Sequence, residues 1–286
     1  MLSHYGSVDL RKLGAWGPVT ATLDWCEPNH MFSHYIAEVA NSFSNFYTIF
    51  LAVYGASIAV RERLPHRFLI GYCGVAMVGI GSFIFHSTLL WEAQLADELP
   101  MIYVASYSVW SLGDDQHGFN ANTPRIRLQS LALVAFDVLF TWSYYLYRNP
   151  VYHQIVFATL MIIVGYRTAY LLYWSPRSPQ IPDEKKKVIT RIYLTGVLQF
   201  LFGFFVWNLD NIFCGILTKW KFNIGWPLAF LLEGHSWWHV FTALGTYYMF
   251  VGVMLIALGI KDDHRNYILT RKLGLPMVVR APPRKD

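Results

Sequence analysis

The chain has 286 residues, of which 55% are hydrophobic, 17% aromatic and only 14% charged, with a formal net charge of +5. A soluble domain carries about 25% charged residues, so an ordinary soluble enzyme is excluded. The 11 Trp, 18 Tyr and 20 Phe likewise exclude a disordered or nucleic-acid-binding tail. The apolar residues arrive in long blocks and predict one all-α domain, a seven-transmembrane helix bundle whose surroundings are the lipid bilayer.

In chain order, residues 1–32 hold no apolar run suited to a cleavable signal. The segment is therefore expected to remain on the mature protein, with the first span acting as the targeting signal. Spans of about 20 residues or more are predicted near 33–60, 67–90, 97–113, 128–147, 151–174, 188–215 and 236–260. The third is the least apolar, because Asp97 and Glu98 open it and several serines follow, but omitting it would leave a long apolar loop. The stretch 175–187, rich in proline and charge, reads as a mobile connection. Residues 261–286 form a basic tail expected to lie along the membrane surface or to be disordered. No internal repeat is visible. Sorted by side, Arg11, Lys12, Arg148, Lys219 and Lys221 fall with the N-terminus, whereas 17 Lys and Arg fall on the opposite face and Arg167 lies inside the fifth span. The positive-inside rule then predicts a lumenal N-terminus and a cytosolic tail.

Ionisable groups inside spans are costly and are functional candidates by default. His86 lies near the end of the second span, while His235 and His239 open the seventh. Because spans alternate in direction, all three are expected at one depth. The i, i+4 spacing puts His235 and His239 on one helical face, and His86 from a neighbouring helix would complete a three-histidine zinc site with a fourth position open to water. Ser82 lies one turn before His86, and Asp97 follows across a short connection. A hydroxyl can donate to a developing oxyanion and a carboxylate can take and return a proton, although helix packing and a first-turn position would also account for the pair. Asp24, Trp25 through its carbonyl, Glu27, Asn29 and Glu38 offer hard oxygen ligands suited to calcium. A solvated acidic entry to the first helix is the other reading of that cluster. Asn41 and Asn45, and Asn208, Asp210 and Asn211 in the sixth span, read mainly as interhelical hydrogen-bond partners, with a substrate headgroup contact open to Asp210. Cys73, inside the second span, reads as a packing residue.

Taken together, Trp-Gly-Pro-Val-Thr-Ala-Thr-Leu-Asp-Trp-Cys-Glu at 16–27, Gly-Ser-Phe-Ile-Phe-His at 81–86, Asp-Glu-Leu-Pro-Met-Ile-Tyr at 97–103, Trp-Asn-Leu-Asp-Asn-Ile-Phe-Cys at 207–214 and His-Ser-Trp-Trp-His at 235–239 resemble the alkaline ceramidase family. That family belongs to a wider group of seven-span membrane hydrolases that includes the adiponectin and progestin receptors. The resemblance implies catalytic zinc on His86, His235 and His239, catalytic roles for Ser82 and Asp97, and structural or regulatory calcium on Asp24, Trp25, Glu27, Asn29 and Glu38. It also implies hydrolysis of the ceramide amide to a sphingoid base and a fatty acid, in the endoplasmic reticulum or Golgi. The alternative within the group is an adiponectin-type receptor using the same site with weak or no hydrolase activity. Such receptors are thought to carry a cytosolic N-terminus, which the charge count opposes. A G-protein-coupled receptor has no reason to hold three histidines at one depth. A metal transporter would more often place its ligands at mid-membrane. Cys26 and Cys214 both face the oxidising side in this topology, so a Cys26–Cys214 disulfide is expected, with two free thiols as the alternative.

Overall fold

A computed structural model describes residues 14–120 and 122–282. Seven helices, α1 (Val39–Arg61), α2 (His66–Thr88), α3 (Trp91–Gly113), α4 (Pro124–Leu146), α5 (Pro150–Tyr173), α6 (Asp183–Ile224) and α7 (Gly234–Lys261), are followed by a hairpin of β1 (Tyr267–Lys272) and β2 (Leu275–Arg280). Local chemistry fixes several boundaries. Thr123 and Asn149 cap α4 and α5 through their side chains, each followed by a proline at the first helical position, where the missing N–H costs nothing. Asp210 accepts from the Gly234 N–H at 3.0 Å and so satisfies one orphan donor at the start of α7.

Among the described residues, six helices are long and apolar enough to cross a membrane; α3 is not among them. It carries Glu92, Asp97 and Glu98 and is packed among α2, α4 and α5. At the centre is α7, buried over most of its length against α6 and α1. Its tightest crossing is with α6, where a side chain on Gly196 would meet the Gly245 carbonyl at 2.6 Å, and one on Gly245 the Gly196 carbonyl at 2.7 Å. In contrast, α4 is largely exposed and leans on α3, with Phe140, Ser143 and Tyr144 also touching Tyr152 and His153 of α5. The consecutive helices α5 and α6 part company, one packing on α3 and the other along α7. At about 1.5 Å per residue, the 42 residues of α6 run about 63 Å, nine residues beyond the end expected at 215.

The tail departs from expectation. Residues 267–280 form an antiparallel hairpin through the positive-φ pair Leu273–Gly274, and Tyr267, Leu275 and Val278 are buried in a core shared with α1, α2 and α7. Reading the tail by charge hid these apolar positions. Cys73 is exposed on the outer surface of the bundle, so it is not a packing residue. Asn208 and Asn211 donate to Phe204 and Trp207 of their own helix, one turn back, and not to another helix. Of the residues used for the charge count, Arg11, Lys12, Arg284 and Lys285 lie outside the described residues.

Candidate metal centre and active site

The end of the bundle that carries residues 14–38 gathers His86 from α2 with His235 and His239 from α7. One ring nitrogen from each lies within 4.8 Å of the others, and all three residues are buried. The Nε2 atoms of His86 and His235 are 3.3 Å apart. The partners of the opposite ring nitrogens decide which nitrogen keeps a lone pair. His86 Nδ1 meets Glu38 Oε2 at 2.5 Å and donates to it when the carboxylate is ionised, since that form can only accept. Ser44 spends its hydroxyl proton on the Asn41 carbonyl and so accepts from His239 Nδ1 at 2.8 Å. Both assignments leave Nε2 bare. His235 is held by stacking on Trp25, with ring centroids 4.0 Å apart and planes 19° apart. His235 Nε2 can donate to the bare His86 Nε2 or, protonated on Nδ1 instead, turn its own lone pair into the same pocket. Three neutral imidazoles, two of them oriented by hydrogen bonds to the far nitrogen, are a donor set that fits zinc.

Ser82, also buried, is one turn from His86 and sets its Oγ 3.5 Å from His239 Nε2. Asp97 on α3 is half-buried and faces the Ser82 hydroxyl. Thus all five residues singled out in the sequence for zinc chemistry meet in one place.

The N-terminal segment crosses this end as a strap. Thr20 and Ala21 donate to the Leu89 carbonyl, Ala37 to Ser87 and Glu38 to His86. Cys26 is paired with Cys214 of α6, Cα to Cα 5.3 Å. The Cys26 carbonyl also accepts from the buried Lys221 ammonium at 3.1 Å, and Lys221 meets Glu233 at 2.5 Å.

Within the strap, Glu27 accepts from the Ala40 and Asn41 N–H groups at 2.7 and 2.8 Å, capping α1. Asn29 donates to Asp24 at 3.2 Å. Two buried acceptors in the cluster, Glu38 Oε1 and Asn29 Oδ1, have no hydrogen-bond partner. Burial raises the Asp24 carboxyl above its usual range despite the bond from Asn29. Burial, with the Glu38 charge second, pushes Glu27 up to about 7. An acid-rich pocket with unused oxygens fits a hard divalent cation such as calcium. Its oxygens are spread more widely than the histidine nitrogens, which among the described residues form the one tight group.

Sequence reasoning assigned Glu38 only to calcium and missed that it also meets His86, which sets it between the histidine trio and the acidic cluster. It also missed Ser44 and Glu27's capping role. The visible signal for Ser44 was the polar face of α1, whose Asn41, Ser42, Asn45 and Thr48 are all buried. A further buried network went unread. Gln94, Tyr144 and Glu98 are bonded at 3.0 and 2.5 Å, and His153 Nε2 donates to the Glu98 carbonyl at 2.9 Å.

A buried serine and histidine trio with a half-buried aspartate, inside a bundle of apolar helices, has the makings of a membrane-embedded hydrolase site. Comparison with known proteins gives the family. The family model described as Ceramidase matches residues 17–279. The chain is 33% identical over 236 residues to alkaline ceramidase 3 of Mus musculus, covering 82% of this chain and 84% of that one. It is 35% identical over 249 residues to alkaline ceramidase YPC1 of Saccharomyces cerevisiae, covering 84% and 78%. A putative alkaline ceramidase, dcd3A, of Dictyostelium discoideum is 29% identical over 297 residues, covering 94% and 97%. The chain belongs to the alkaline ceramidase family and is a hydrolase of the membrane.

Proposed function

We propose that this protein is a zinc-dependent amidase that hydrolyses ceramide to a sphingoid base and a free fatty acid within the bilayer. The observation that carries the reading is the convergence of bare histidine nitrogens beside the Ser82–Asp97 pair. His86, His235 and His239 would hold the ion, which when bound polarises a carbonyl and makes water nucleophilic near neutral pH. Asp97 takes a proton from the attacking water and returns it to the departing amine. Ser82 donates its hydroxyl hydrogen to the carbonyl oxygen as negative charge grows there. Attack by Ser82 itself is disfavoured, because the imidazole nearest its hydroxyl is committed to the metal.

Calcium on Asp24, Glu27, Asn29, Glu38 and the Trp25 carbonyl would neutralise the acidic strap and fix Glu38 on His86. The Lys and Arg asymmetry supports a lumenal strap and a cytosolic hairpin, in the endoplasmic reticulum or Golgi. An engineered glycosylation acceptor near Ser7 should then be modified, and one near Asn266 should not; the reverse pattern would invert the topology. The adiponectin-type receptor alternative is not favoured by the family match.

The direct test is metal analysis of purified protein alongside a ceramide-hydrolysis assay. His239→Ala should lose zinc and activity together, whereas Ser82→Ala and Asp97→Asn should keep zinc while turnover falls about 10²- to 10³-fold. Full hydrolysis by Asp97→Asn, or by zinc-free protein, would overturn the mechanism.

A further inference from the structure

The Ser82–Asp97 pair joins two helices, and something must fix their relative height. Pro100 lies inside α3. A proline has no N–H to give to the carbonyl four residues earlier, and its ring crowds that carbonyl. Here the carbonyl belongs to Ala96. On the facing helix, a Cβ built on Gly81 would lie 1.8 Å from the Ala96 oxygen, 2.4 Å from the Ala96 carbonyl carbon and 2.9 Å from the Asp97 nitrogen. These three atoms belong to one planar peptide unit, so the peptide that carries Asp97 lies flat against the bare Cα of Gly81. The next residue on α2 is Ser82, and the next on α3 is Asp97. The other glycines of α2 meet side chains only: Phe250 at Gly71, Val104 at Gly74, and Ile49 and Thr48 at Gly79. Backbone therefore touches backbone in the one turn of α2 where Ser82 faces Asp97.

We infer that Gly81 and Pro100 are positioning residues for Asp97. Pro100 removes the helical partner of the Ala96 carbonyl, Gly81 provides the gap that receives it, and the contact sets the carboxylate of Asp97 opposite the Ser82 hydroxyl. The inference rests on the catalytic reading of Ser82 and Asp97. Any side chain at position 81 must push the α3 peptide away by about 1.2 Å, from 1.8 Å to the 3.0 Å limit of real Cβ contacts. A shift of about 1 Å in a reacting group costs about 10²-fold in rate.

The test is a set of variants purified in nanodiscs and assayed for ceramide hydrolysis, zinc content and thermal unfolding. Gly81→Ala should keep its zinc and lose about 10²-fold in kcat, with KM changed less than about threefold. Gly74→Ala, on the same helix pair, meets only the movable Val104 methyl at 2.7 Å and should keep kcat while losing some thermal stability. In an Asp97→Asn background, Gly81→Ala should cost little more, because the group it misplaces is already gone.

Pro100→Ala restores the N–H and should lower kcat in the same direction by about tenfold, which keeps the proposal testable if Gly81→Ala does not fold. Unchanged kcat in Gly81→Ala, or in Pro100→Ala where only that variant folds, would overturn the proposal. Equal losses in Gly81→Ala and Gly74→Ala, or full additivity with Asp97→Asn, would do so too. Full activity of Asp97→Asn alone would instead overturn the catalytic reading and leave the helix contact as packing.

Discussion

The two ends of the bundle both bury charge, and they treat it in opposite ways. At the hairpin end, Arg67 and Lys261 converge on Asp114 at 2.9 and 2.7 Å. Lys261 adds the Asp114 and Gln116 carbonyls, and the Arg67 guanidinium sits 5.3 and 5.0 Å from the Trp110 and Phe119 rings. Arg67 Nη1 apart, that cluster finds its partners within the chain and pins the loop after α3 to α2 and α7. At the strap end, Glu27, Asp210 and Glu233 face the buried Lys221, Asp24 lies by Glu38, and Glu38 Oε1, Glu233 Oε1, Asn29 Oδ1 and His235 Nδ1 are left without hydrogen-bond partners. One end spends its buried polarity on structure. The other keeps an excess of carboxylates over cations and several buried acceptors without partners.

The comparison separates most sharply when each end loses one member. His239→Ala should abolish turnover and leave the opposite end intact. Asp114→Asn strands two buried cations and should cost about 3–5 kcal/mol of stability. The fraction that remains folded should hydrolyse ceramide within about twofold of the parent, since the sites are far apart and independent. Thermal unfolding and turnover per bound zinc, measured on both variants, check this. An Asp114→Asn protein that is stable yet inactive would mean that the two ends are coupled.

Much of this contrast was legible in the sequence. The spans follow from apolar runs, and α3 stood out as the least apolar because its carboxylates serve the core and the site. The histidine trio followed from i, i+4 spacing and the alternation of span direction. What could not be read depends on contacts distant in sequence. Glu27 caps a helix that begins twelve residues later, and Glu38 reaches His86 on another helix. Nor does the apolar stretch around it reveal which way Cys73 faces. Asn208 and Asn211 looked like interhelical partners, but a carbonyl one turn back was within reach of each amide. In the tail, Arg271, Lys272 and Arg280 masked the buried Tyr267, Leu275 and Val278.

A smaller effect sharpens the strap end. Glu27 titrates at about 7 in the fold against 4.5 ordinarily, chiefly through burial and secondly through Glu38. In chelator the native state therefore holds a proton that the unfolded chain has released, so stability falls as pH rises from about 4.5 to about 7 and levels off above. Bound calcium favours the ionised form, so the Tm gain on adding calcium should be small near pH 5 and larger near pH 8. In the Glu27→Gln/Glu38→Gln double variant the gain should vanish at every pH. A double variant that kept the full calcium response would reduce the cluster to a solvated acidic entry.

The smallest effect expected is from the Cys26–Cys214 link, because the strap is fastened more than once. Lys221 holds the Cys26 carbonyl, Glu27 caps α1, and Ala37 and Glu38 bond the last carbonyls of α2. Cys214→Ser should therefore lower Tm by only a few degrees and leave turnover in calcium nearly unchanged, with non-reducing mass spectrometry of the parent yielding one linked peptide pair containing both cysteines. Lys221→Met should do more damage, since it also leaves the buried Glu233 carboxylate without its cation, and removing one partner of a buried ion pair costs about 3–5 kcal/mol. The order of the two losses is the informative result. If Cys214→Ser proves the worse variant, the strap hangs on its covalent link and the acid excess at this end is secondary. If Lys221→Met is worse, the one cation among five carboxylates balances the strap, and its loss should also raise the calcium dependence of activity.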